Sequence, residues 1–120
     1  MRRGTVLLAQ FDPALFGEAS KTRPCIVVSN HGALRAVARV NRGSLVAVPL
    51  TTKVGFVHPE AQVLVDEDDD MASMGLSAPS KVQIEQIRAI SLERVHRELG
   101  QTPPWIMHQV DDALRFHLSL

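Results

Sequence analysis

At 120 residues, with 45% hydrophobic side chains and a formal net charge of +0, the chain has the length and composition of one globular domain spanning 1–120. Aromatic residues make up 4%, with one Trp and no Tyr, which argues against reading nucleic acid by stacking many bases on an aromatic platform. A single cysteine, Cys25, excludes an internal disulfide and a cysteine-built zinc site.

No apolar run approaches the roughly 20 residues that span a bilayer. The start, Met1-Arg2-Arg3-Gly4-Thr5, leads into too short an apolar core for a secretory signal and reads as the approach to a first strand. The expectation is a cytoplasmic protein with no membrane contact. Zero net charge conceals an asymmetry. Residues 1–60 carry eight Lys/Arg against three Asp/Glu, and residues 61–120 carry five against ten. Ten of the thirteen cations are Arg, whose planar fork suits phosphate. Either the basic half marks a local anion site, or the halves interleave in the fold and the bias vanishes.

Taken in chain order, Thr5–Gln10 is apolar and β-prone and predicts a first strand, closed by Phe11-Asp12-Pro13. Residues 14–22 read as a polar loop. The β-branched run 25–29 predicts a buried second strand, and Pro24 pushes Arg23 toward extended backbone at its mouth. Residues 30–43 are a long connection with room for a short helical turn around 33–40. A third strand is expected over 44–50, with Pro49 marking an edge or an exit. Gln62–Val65 predicts a strand, 66–70 an acidic turn, 75–80 a loop, 82–90 one strand or two, and 92–97 a short helical piece. The strongest signal is a C-terminal helix. Thr102 is its candidate N-cap, Pro103 its first residue, and Ile106, Val110, Ala113, Leu114 and Leu118 form one face. Many short strands, one closing helix and no strand–helix alternation predict an α+β fold built on a small twisted sheet or barrel.

The chain has no Gly-rich phosphate loop and no nucleophile elbow, and its five His residues are scattered with no metal-ligand spacing. No metal and no other cofactor is expected. The acidic run 66–70 lacks the alternating ligands and central Gly of a calcium loop and reads as a solvated turn. Cys25, inside an apolar strand, reads as an inert buried thiol. Two stretches stand apart: residues 17–29, containing Arg23-Pro24 ahead of Cys25-Ile26-Val27-Val28-Ser29, and Val46-Ala47-Val48-Pro49-Leu50-Thr51-Thr52. Both set polar residues at the ends of buried strands. There an Arg fork and a Thr hydroxyl can converge on one groove as a metal-free cradle for phosphate. Taken singly, a surface Arg and a turn Thr pair are the plainer readings.

Together these stretches resemble the signature of the MazF/PemK family of bacterial toxins, the endoribonuclease halves of toxin–antitoxin pairs. The order continues through Arg3-Gly4, Phe11-Asp12-Pro13, Pro59, Gly75-Leu76-Ser77, Glu85-Gln86-Ile87-Arg88 and the closing helix, so it covers nearly the whole chain. The chain departs from the family at Thr5, where an acidic residue is usual, at Leu7, where Trp is common, and in the longer acidic stretch 66–70.

The resemblance implies a small antiparallel SH3-like barrel of PemK/CcdB type with a C-terminal helix, acting as a homodimer. It implies sequence-specific cleavage of single-stranded RNA by the RNA's own 2′-OH, without metal, leaving 2′,3′-cyclic phosphate and 5′-OH ends and so arresting translation and growth. Arg23 would stabilise the charge on phosphorus, Thr51 would donate to a non-bridging oxygen, and Glu18 would take the proton. Lys21, Thr52, Lys53, Arg35, Arg39, Arg42 and Gln86 are the candidate RNA contacts. Leu114 and Leu118 would serve the core or the dimer interface. The implied partner is a cognate antitoxin whose disordered acidic tail competes with RNA. A gyrase poison of CcdB type is the alternative, and it would have no need of Arg23 or Thr51.

Overall fold

The computed structural model describes residues 1–11 and 22–120. Within them the strands are β1 (Thr5–Gln10), β2 (Thr22–Val27), β3 (Ser44–Thr51), β4 (Gln62–Val65), β5 (Ser80–Gln83), β6 (Arg88–Ser91) and β7 (Val95–Gln101). The helices are α1 (His31–Val40), α2 (Asp68–Met74) and α3 (Pro104–Leu118). All ladders are antiparallel, in the order β4-β5-β3-β2-β1-β7, with β6 also paired to β3. β4 and β7 stand at the ends of this order, so the expected barrel is an open sheet.

β3 organises the sheet. One edge carries β2. The other carries β6 along Ser44–Ala47 and β5 at Leu50 and Thr51, and the 3-10 turn Ile84–Gln86 offsets the two. Alternate side chains feed opposite faces, and both faces are buried. Val6, Ile26, Val48, Leu50 and Val82 pack with Ile106, Val110, Ala113 and Leu114 of α3. Leu7, Cys25, Val27, Leu45 and Ala47 form a second core under Leu34 of α1. Burial on both sides explains why the inner strands read as unbroken apolar runs.

Several elements differ from expectation. The turn foreseen around 33–40 is the ten-residue helix α1, nucleated by Asn30, whose side chain accepts the Ala33 N–H at 2.8 Å. The acidic run continues into α2, with Asp68, Asp69 and Asp70 in its first turn, where carboxylates complement the helix dipole. Gly75 ends α2 at φ 71, the left-handed region that glycine enters freely. Of the helical piece expected at 92–97 only the 3-10 turn Leu92–Arg94 forms; the rest joins β7, because the free edge of β1 pairs with it. α3 begins at Pro104, one residue later than expected, with Pro103 rather than Thr102 at the N-cap. Leu114 is in the core, whereas Leu118 is exposed.

Candidate active site

A proline ends the ladder between β2 and β3, and a cleft lies beyond it. The Val28 N–H donates to the Val46 carbonyl at 2.9 Å. Hydrogen-bonded pairs alternate along an antiparallel ladder, so Ile26–Val48 and Pro24–Leu50 hold the same kind of position. Pro24 has no N–H to donate there. The paired register accordingly ends at Cys25–Pro49, where the pair is of the non-hydrogen-bonded kind and Pro49 forfeits nothing. Beyond that pair β2 runs back to Arg23 and β3 runs on to Thr51, and the two residues lie on either side of the gap.

Both residues line a cleft of about 610 Å³ together with Thr52, Lys53, Lys81 and Gln83. On the far edge of β3, Thr51 is paired with Lys81 of β5. Cross-strand partners share a face, so Thr51 and Lys81 stand side by side, and Arg23 lines the same cleft. Thr51 Oγ1 accepts the Lys53 N–H at 3.2 Å, which leaves the hydroxyl hydrogen free to donate outward. Lys81 Nζ donates to the Phe56 carbonyl at 2.6 Å and ties the segment after Thr52 to the cleft wall. Arg23, Lys53 and Lys81 line the cleft and no carboxylate does among the described residues. A cationic lining with a hydroxyl beside it suits an anion.

Of the residues singled out from sequence, Arg23, Thr51, Thr52 and Lys53 lie in this cleft. Glu18 and Lys21 fall outside the described residues. Arg35 and Arg39 are exposed on α1, and Arg42 follows it. α1 joins the end of β2 to the start of β3, whereas the cleft lies at the start of β2 and the end of β3. Within one chain these three arginines are therefore remote from the cleft. Gln86 is exposed on the 3-10 turn and does not line the cleft.

Sequence reasoning missed Lys81 and Gln83. The available signal was the alternation Ser80-Lys81-Val82-Gln83, in which Ser80 and Val82 are buried and the two long polar side chains face the other way. Cys25, two residues along β2 from Arg23, is fully buried, and burial pushes its thiol up to about 12. At neutral pH it is a packing residue with no nucleophilic thiolate.

Residues 2–118 match the family of PemK-like, MazF-like toxins of type II toxin–antitoxin systems. The chain is 39% identical over 120 residues to endoribonuclease MazF9 of Mycobacterium tuberculosis, covering all of this chain and 98% of that one. It is 26% identical over 120 residues to endoribonuclease EndoA of Bacillus subtilis, covering 96% of it. Its fold superposes with a TM-score of 0.72 on an endoribonuclease from a mycobacterial species solved in complex with its cognate antitoxin. That likeness is at 24% identity, over 100% of this chain and 96% of the other.

Proposed function

Because the chain belongs to the PemK-like, MazF-like family of toxins of type II toxin–antitoxin systems, we propose that it is an endoribonuclease using Arg23 and Thr51 to cut single-stranded RNA. The observation that carries this reading is the meeting of those two groups in one cationic cleft, in a chain 39% identical to an enzyme named endoribonuclease.

The RNA's own 2′-oxygen attacks the adjacent phosphorus. The 2′-O–P bond forms, the P–O5′ bond breaks, and the ends are a 2′,3′-cyclic phosphate and a 5′-OH. One proton leaves the 2′-OH and one reaches the departing 5′-oxygen. Arg23 holds the scissile phosphate through its fork and offsets the charge that grows on the non-bridging oxygens. Thr51, its oxygen already fixed by the Lys53 N–H, donates its hydrogen to one of them. Glu18 is the proposed proton acceptor, from its place five residues before Arg23. With arginine supplying the positive charge, the reaction as written uses no metal.

Lys21, Thr52, Lys53 and Lys81 carry the flanking backbone. Arg35, Arg39, Arg42 and Gln86 join the RNA path only at a distance from the cleft, along a groove shared with a second subunit of a homodimer. The single toxin domain works in the cytoplasm; no helix of the described residues is long and apolar enough to cross a membrane. Its antitoxin blocks the groove with a disordered acidic tail, whose charge suits the cationic lining. A gyrase poison of CcdB type is not favoured, since it leaves the cleft lined by Arg23, Thr51 and Lys81 without a use.

The reading is tested by the chemistry of the cut. An RNA cleaved by the protein should carry 2′,3′-cyclic phosphate ends, and a 2′-deoxy nucleotide at the cut position should abolish cleavage there. Cutting that continues past a 2′-deoxy nucleotide would overturn the mechanism.

A further inference from the structure

β4 and β5 set two glutamines opposite each other, Gln62 and Gln83. Gln62 is fully used: its Oε1 accepts the His58 N–H at 2.9 Å and its Nε2 donates to Glu85 Oε2 at 2.8 Å. It pins the segment that leads into β4. Gln83 is different. It lines the cleft two residues from Lys81, on the same face of β5, and its Oε1 is buried with no hydrogen-bond partner among the described residues. Leaving a buried amide oxygen unpaired is unfavourable. The side chain is only partly buried, and the terminal torsion of glutamine is soft, so the amide can turn outward to a ligand that gives its oxygen a donor.

Every other long polar side chain named in the cleft is a cation, suited to phosphate. An amide is not. It presents an acceptor beside two donors, the complement of a base edge that sets a donor next to an acceptor, as the Watson–Crick edge of an unpaired base does. Single-stranded RNA offers that edge unpaired. We propose that Gln83 is a specificity-determining residue that reads the edge of a base lying close to the scissile phosphate gripped by Arg23 and Thr51.

This rests on the endoribonuclease reading and is tested so that the two can fail separately. Wild-type protein, Gln83→Met and Gln83→Glu are each incubated with a long unstructured RNA, and the cut ends are sequenced. Met keeps the length of the side chain without its hydrogen bonds, and Glu keeps the acceptor without the donors. The expected result is that wild type prefers one base at one position within about three nucleotides of the cut. That preference should fall about tenfold in Gln83→Met while the preferences at other positions persist. Identical preferences in all three proteins would overturn the proposal and leave the nuclease reading intact, as would an equal loss of cutting at every site in both variants. Intact RNA with the wild type would overturn both.

Discussion

Thr51 of β3 is paired with Lys81 of β5 on one edge and shares a cleft with Arg23 of β2 on the other. Lys81 is the newcomer, and its charge has a measurable signature. Neutralising one phosphate contact on a single strand changes the slope of log affinity against log salt by about 0.7. Lys81→Gln should therefore bind single-stranded RNA with a slope shallower by that amount. An unchanged slope, measured by a salt titration of binding, would place the Lys81 ammonium off the RNA and leave it only its bond to Phe56.

The sole tryptophan reports on the packing of α2 against α3. Trp105 Nε1 donates to Asp70 Oδ1 at 2.8 Å, and Asp70 is buried although Trp105 is 60% exposed. Removing the acceptor deletes this charge-assisted hydrogen bond and the contact it holds. Asp70→Ala should lower stability by about 1–3 kcal/mol in urea unfolding followed by tryptophan fluorescence. Asp70→Asn keeps an acceptor and should recover most of the loss.

Two glycines predict opposite outcomes. A Cβ on Gly100 would run into the Ser73 carbonyl and the Met74 backbone, because β7 and α2 touch main chain to main chain there. Gly100→Ala should cost about 1–3 kcal/mol by forcing the two elements apart. Gly55 has nothing within 4 Å of such a Cβ, and Gly55→Ala should leave stability within about 0.5 kcal/mol. Thermal unfolding of the two variants side by side makes the comparison.

Burial raises the Cys25 thiol from 9.0 to about 12, so the folded state disfavours the thiolate. A group raised on folding stabilises the fold fully below its unfolded value and loses that contribution as pH climbs toward the folded one. Stability should hold up to about pH 9 and decline between about 9 and 12, with Cys25→Ala showing a shallower decline. At pH 8 the folded protein holds roughly a thousandfold less thiolate than a free cysteine, so thiol reagents should label it only on unfolding.

The legible parts of the fold were those where burial alone decides. β1, β3 and β4 are apolar or β-branched runs, and α3 shows a one-sided apolar face. β7 was hidden because Val95-His96-Arg97-Glu98-Leu99-Gly100-Gln101 is half exposed and rich in helix formers; only the pairing of β1 makes it a strand. α2 was hidden because three Asp read equally as a solvated turn and as the first turn of a helix. In the site, Pro24 and Pro49 marked the strand ends that hold Arg23 and Thr51. Lys81 and Gln83 could not be placed, since a lysine and a glutamine on a strand look solvated until the β3–β5 register sets them in the cleft.

In the proposed function one guanidinium, that of Arg23, and one hydroxyl, that of Thr51, grip a single phosphodiester. Its most direct test is cleavage of a long single-stranded RNA in excess EDTA, with the ends mapped, by wild type, Arg23→Ala, Thr51→Ala and Thr51→Ser. Discrete cuts by wild type, a loss of about 10²–10³ in rate for each alanine variant, and substantial retention in Thr51→Ser are predicted. Undiminished cutting by Arg23→Ala, or intact RNA with wild type on several unrelated substrates, would contradict it.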